Sequence, residues 1–248
     1  MSTAGYILRV IFPQRCALCG TLIEPTKDDA RCFCPKCRSV WEQEKTSPCP
    51  VCRQTPDNCT CRLPYNKTRT LDGCRSLVTY ESESVRKLIY GIKTSRDRAL
   101  FTFISRELEL LIFRKYDLSK NDIITAYPQR SRRARKKYGH DQAEIIAKTV
   151  SKDLGIPVFC GIKNSNGEEQ KKLSGLDRGQ NAYKSYSIPE KYRDQLKGKR
   201  VILIDDIVTT GATAVCSAAL CKLYGASSVC CFCIAKTPRS PGRGGLKV

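Results

Sequence analysis

The spacing of apolar and polar positions separates two regions of the chain. Up to about residue 65, periodic apolar stretches are few and cysteine and proline dominate. From about Leu71 the pattern alternates between short apolar runs and stretches with helical spacing. "SLVTYE" reads as a short strand. The segment from Glu83 to Asp117 has helical spacing through Val85, Leu88 and Ile89, a break near 94–96, and a second helix through Leu100, Phe103, Ile104, Leu108 and Leu111. A strand is predicted over Asp122–Ala126, stopped by Pro128. A helix follows, with Ala143, Ile146, Ala147 and Val150 on one face and Gly155 at its end. "IPVFCGI" reads as a short strand and 167–186 as a polar loop. "RVILIDD" is the strongest strand signal, followed by a helix from Ala212 to Tyr224 and a last strand, "SSVCCFCIAK".

This alternation predicts an α/β fold with a parallel sheet covered on both faces. The expected organisation is a cysteine-rich module over 12–65, an α/β domain over 74–237 and a flexible basic tail over 238–248. At 248 residues the chain has room for one ordinary core and a smaller module.

Cysteine content changes the picture of the first region. Ten of the 16 cysteines lie in the first 75 residues. They include the pairs Cys16/Cys19, Cys34/Cys37 and Cys49/Cys52, then Cys59 and Cys61. Two residues between cysteines let a tight turn aim both thiolates at one tetrahedral zinc. Pairing in order gives one site from Cys16, Cys19, Cys34 and Cys37 and another from Cys49, Cys52, Cys59 and Cys61. A crossed arrangement is also compatible with the spacing; the in-order one is favoured because each half then folds around its own metal. Closed four-cysteine sites are structural. A redox C-x-x-C normally occurs once, at a helix start, and an iron–sulfur cluster lacks its close three-cysteine run. The later cysteines, at apolar positions, read as core.

Charge narrows the partners. With 44 Lys+Arg against 24 Asp+Glu, the formal net charge is +20, which suits polyanions. The run "RSRRARKK" concentrates Arg130, Arg132, Arg133, Arg135, Lys136 and Lys137. Read as a basic loop flanked by Tyr127 and Tyr138, it suits single-stranded nucleic acid, with the tyrosines as stacking platforms, or a pyrophosphate. No apolar run approaches the roughly 18 residues of a membrane helix, and the N-terminus lacks signal-peptide features. The expectations are therefore no membrane insertion and a cytoplasmic location.

The most specific motif is "VILIDDIVTTGAT", residues 201–213. Asp205 and Asp206 end an apolar strand, and Thr209, Thr210, Gly211, Ala212 and Thr213 lead into a helix. Amides at a helix N-terminus hold phosphate; carboxylates at the carboxyl end of the strand suit sugar hydroxyls or magnesium. Together these describe a receptor for a phosphorylated ribose.

The motif resembles the phosphoribosyl-pyrophosphate (PRPP) motif of type I phosphoribosyltransferases. The cysteine module, "LIYGIK", "YPQRSRRARKKYGHDQA", "LDRGQNAY" and this motif together resemble the ComF family, phosphoribosyltransferase-like proteins associated with DNA uptake in naturally competent bacteria. The resemblance implies a type I phosphoribosyltransferase-like fold and a PRPP ligand with Mg. It puts Asp205 and Asp206 on the ribose hydroxyls, Thr209–Thr213 on the 5-phosphate, and Lys93 and the Ala126–Pro128 segment, with Tyr127, near the pyrophosphate; Arg130, which opens the basic run directly after that segment, would add its charge there. Asp205, Asp206 and Lys93 would then be the groups of a transfer reaction whose acceptor is unidentified. Arg178 and Asn181 match the family's R-x-x-N. The chain departs from the family at Tyr138–Gln142, where only Gly139 and Gln142 match, and at Ser165 and Gly167. The implied role is in DNA import, with single-stranded DNA and a DNA-import helicase or recombination mediator as partners. The competing reading is a catalytically inactive zinc-ribbon adaptor for single-stranded DNA. His140, the only histidine, is a surface or packing residue before it is a base.

Overall fold

The structure is a computed structural model and describes residues 13–24, 32–66, 68–94, 97–164 and 186–239. Its elements are α1 (Pro35–Thr46), β1 (Gly73–Thr79), α2 (Glu83–Thr94), α3 (Arg98–Phe113), β2 (Ile123–Ala126), α4 (Arg132–Tyr138), α5 (Gln142–Leu154), β3 (Val158–Phe159), β4 (Lys163–Asn164), β5 (Tyr186–Ser187), α6 (Glu190–Arg193), β6 (Arg200–Val208), α7 (Ala212–Leu223) and β7 (Ser228–Lys236).

Five strands pair in the order β1-β7-β6-β2-β3, every pair parallel. β4 and β5 form a separate antiparallel pair. The period of two in β6 divides its side chains between two cores. Ile202 and Ile204 join Phe232 and Ile234 under α3 and α5, while Val201 and Leu203 join Val229, Cys231 and Cys233 under α7. A parallel sheet buried on both faces explains the near-continuous apolar run that marked these strands.

Local chemistry sets the helix ends. The Asp97 carboxylate accepts from the Ala99 amide at 2.9 Å, starting α3 just past the predicted break. Asp141 caps α5, and Gly155, at φ 67°, ends it.

Two expectations are corrected. The basic run is not a loop: residues 132–138 form α4. The cysteine-rich region also holds a twelve-residue helix, α1, beginning directly after Cys34. α1 buries Trp41 against Phe33 and Phe103, whose rings lie 6.1 and 5.8 Å from it, so the module shares the α3-side core. Lys45 Nζ reaches the Glu107 carboxylate at 2.6 Å across the same junction.

Candidate phosphoribosyl site and cysteine clusters

Asp205 and Asp206 lie near the carboxyl end of β6, and alternation sends them to opposite faces. Asp206 is paired with the Arg130 guanidinium from the loop after β2. Asp205, on the α7 face, is half-buried, and its carboxyl is held well above the usual carboxylate range by desolvation and by the neighbouring Asp206 charge. The Asp206 amide donates to the Asp205 carboxylate at 2.8 Å, and the Ile207 amide donates to Asp206 at 2.8 Å.

The chain then turns through Thr209 and Thr210 into α7. Gly211 is the N-cap, with φ 82°. A β-carbon there would lie 2.8 Å from Leu63 Cδ1, so glycine is required twice, by its backbone and by this neighbour. Turn and helix start leave amides of α7 without intrahelical acceptors, the arrangement that holds a phosphate.

Arg130 is positioned by its main chain. Its amide donates to Asp141 Oδ2 at 2.8 Å, while the other oxygen of Asp141 caps α5 through the Glu144 amide at 3.4 Å. From the next residue, Gln142 Nε2 donates to the Lys93 carbonyl at 3.3 Å. Lys93, Arg130 and Asp206 are therefore joined by one set of contacts through the start of α5. His140 belongs to this scaffold. Its ring nitrogens face the carbonyls of Tyr138 (2.9 Å) and Ile92 (3.2 Å), and its ring stacks edge-on to Phe101.

Tyr127 is corrected as a stacking platform: its side chain is 1% exposed and belongs to the core beside α5. Tyr138 is the last residue of the basic helix, with Arg130 and Lys137 5.9 and 5.2 Å from its ring centre. Arg132, Arg133, Lys136 and Lys137 are exposed on α4, and Arg135 is half-buried. Ser165, Gly167, Arg178 and Asn181 lie outside the described residues, as does most of the expected tail.

Four residues at this site escaped the sequence reading. Asp141 orients Arg130. Tyr186, on β5, lies near Asp205, Thr213 and Asn164; burial first, then the Asp205 charge, raises its phenol to about 12. Leu63 and Lys236 touch Gly211 of the 209–211 turn and the second cysteine cluster respectively. An aromatic in a polar segment, or a leucine in a linker, carries no periodic signal that could have marked it.

The cysteines form the two in-order groups, Cys16/Cys19/Cys34/Cys37 and Cys49/Cys52/Cys59/Cys61, each with its sulfurs within 4.8 Å of one another. A tetrahedron with Zn–S bonds of about 2.3 Å has sulfur–sulfur edges of about 3.8 Å. The distances Cys19–Cys34 (3.7 Å), Cys49–Cys61 (3.6 Å), Cys52–Cys59 (3.7 Å) and Cys49–Cys59 (3.8 Å) match that edge. Both donor sets fit zinc. Among the described residues, no helix is long and apolar enough to cross a membrane.

No family model matches the chain. It is 32% identical to competence protein F of Haemophilus influenzae over 77 residues, 30% of this chain and 33% of that protein. It is 24% identical to DNA utilization protein YhgH of Escherichia coli over 225 residues, 89% of this chain and 90% of that protein. Solved structures similar to it include adenine phosphoribosyltransferase of Saccharomyces cerevisiae, at 18% identity and TM-score 0.39, covering 57% of this chain and 70% of that one. A hypoxanthine-guanine phosphoribosyltransferase of Bacillus anthracis is similar at 15% identity and TM-score 0.37, covering 56% and 69%. The chain is thus similar to competence protein F and to YhgH, and these relatives bear out the ComF-family resemblance carried by its motifs.

Proposed function

We propose that the chain binds a 5-phosphorylated ribose of the PRPP type with magnesium, in a role connected with DNA uptake. The observation that carries this reading is the division of the β6–α7 junction. Two carboxylates stand on the strand, and a Gly211-centred turn opens the amides of α7 immediately after it. The 5-phosphate would be held by residues 209–213, and the ribose hydroxyls by Asp205 and Asp206. Magnesium, when bound, would neutralise charge on the pyrophosphate. Lys93 and Arg130 would take the pyrophosphate, Arg130 by exchanging Asp206 for a phosphate oxygen. Displacement of pyrophosphate from the ribose C1 needs positioning and charge neutralisation more than a strong base. Each cysteine cluster would hold one zinc as a structural element.

Calorimetry with PRPP and Mg²⁺ tests the reading. Asp205→Asn and Asp206→Asn should each weaken binding at least about tenfold, on the order of 1.4 kcal/mol. Affinity equal to wild type in both variants would exclude the site.

A second function is favoured by α4, whose exposed cations lie beside Arg130 on the same segment. We propose that this helix binds the phosphates of single-stranded DNA. Charge reversal of Arg132, Arg133 and Arg135 should lower affinity and reduce the slope of log K against log salt by about 0.7 for each phosphate no longer neutralised. An unchanged slope would remove α4 from the interface. A DNA-import helicase or recombination mediator, named by the family resemblance, would act with the chain through the same strand of DNA.

A further inference from the structure

The second cysteine cluster and the phosphate turn are in mechanical contact. From Cys61 the chain crosses directly over the turn. Leu63, 6% exposed, packs on Gly211, with its Cδ1 2.8 Å from where a β-carbon would stand. Two residues later, the Tyr65 amide donates to the Thr210 carbonyl at 3.3 Å. Below the strap, Lys236 is 3% exposed at the end of β7, and its ammonium donates to the carbonyls of Cys61 at 2.9 Å and Cys59 at 3.3 Å. Lys236 is the register partner of Val208, the residue before Thr209, and the Thr237 amide donates to the Val208 carbonyl at 3.0 Å. Arg75 and Ser76 on β1 bond the carbonyls of Asp57 and Pro56 at 2.9 and 3.3 Å, fixing the other side of the cluster to the sheet.

We propose that the Cys49/Cys52/Cys59/Cys61 cluster positions the phosphate turn, acting through the 61–65 strap and Lys236. The proposal rests on the phosphoribosyl reading of that turn. A peptide plane is rigid, and in a trans peptide the carbonyl of one residue and the amide of the next point in opposite directions. Holding the Thr210 carbonyl on Tyr65 therefore turns the Gly211 amide away from the strap, toward the side open to an anion. Leu63 closes the face behind Gly211, and the left-handed glycine backbone leaves room for it. The buried ammonium of Lys236 needs acceptors. It finds them in carbonyls whose directions the cysteines set when they converge on one metal. Metal at the second cluster thus fixes the strap, and the strap fixes one donor of the anion site. The first cluster, which packs against α1 and α3, has no such path in the described residues.

The test uses the full chain, zinc content measured beside PRPP calorimetry, and amide exchange over 209–213. Lys236→Met and Leu63→Ala should keep the wild-type zinc-to-protein ratio. Both should weaken PRPP–Mg²⁺ binding about tenfold and speed exchange at Gly211 and Ala212, while residues 201–204 of β6 stay as protected as in wild type. Lys236→Arg should restore both readouts. If Lys236→Met loses zinc or unfolds, Leu63→Ala decides. Wild-type affinity and wild-type exchange in a folded, zinc-loaded Leu63→Ala chain would overturn the proposal. If wild type itself fails to bind PRPP, the functional reading fails, and the exchange measurement still decides whether the strap holds the turn.

Discussion

On the proposed phosphoribosyl reading, folding and ligand binding pull in opposite directions at Asp205. Burial and the Asp206 charge raise its carboxyl well above the usual range. The folded chain therefore keeps a proton that the unfolded chain releases near pH 4. Stability contributed by the protonated form is present below that pH and is lost as pH rises through the raised value. Asp205→Asn, which keeps the size and removes the ionisation, should match wild type in Tm near pH 4 and exceed it by a few degrees at pH 8. On that reading a cation-bearing ligand needs the carboxylate, so PRPP–Mg²⁺ binding to wild type should release a proton and tighten as pH rises through the raised value. Calorimetry in buffers of different ionisation enthalpy reads that proton directly; zero proton release would assign Asp205 no part in binding. Gly211 makes a second test at the same scale. Gly211→Ala forces a left-handed alanine, costing roughly 1–2 kcal/mol, and adds a clash with Leu63. In urea unfolding, the double variant Leu63→Ala/Gly211→Ala should lose less than the sum of the two single variants.

At the scale of elements, the legible parts were those whose packing leaves a period in the sequence. β6 was readable because both of its faces are buried, and α5 because Ala143, Ile146, Ala147 and Val150 form one stripe capped by Asp141 and Gly155. α1 buries only Cys37 and Trp41, one turn apart, which is too little to show a helical stripe. α4 has no apolar stripe to read among its basic residues. The DD-x-x-TTGAT junction was legible because its chemistry lies in consecutive residues. Asp141, Tyr186, Leu63 and Lys236 were not, since each acts on a residue distant in the chain. Packing between α3 and α5 makes one further prediction. Glu109 is half-buried near Asp153, and burial first, then the Asp153 charge, raises its carboxyl to about 7. The protonated side chain favours the folded state below the ordinary carboxylate pKa, and this advantage is lost as pH rises toward 7. Glu109→Gln should therefore leave Tm unchanged at pH 4 and raise it at pH 8. A Tm difference independent of pH would mean that the two helices tolerate both charges.

At the scale of the whole molecule, the boundary drawn from composition near residue 65 does not divide the core. Cys16, Ile23, Phe33, Cys37 and Trp41 belong to the same buried cluster as Phe103, Leu108, Ile202 and Phe232. Arg38 and Lys45 of α1 meet Glu107 of α3, a carboxylate only 9% exposed. The second cysteine cluster is tied to β1 and β7 by Arg75, Ser76 and Lys236. A module built this way has no surface of its own to fold around once its metals are gone, because the apolar groups it buries are buried against the sheet's helices. Metal binding should therefore contribute to the stability of the entire chain. Treatment with a strong chelator should lower the Tm of the full chain by about 10 °C or more. Fluorescence of Trp41, the only tryptophan, and far-ultraviolet circular dichroism of the sheet should report one shared transition, and zinc should restore it. Two transitions, with the dichroism midpoint unmoved by chelation, would show instead that the α/β sheet is stable without the module. In that case the shared aromatic contacts at Phe33, Trp41 and Phe103 would be a docking seam between two independently stable parts rather than a common core.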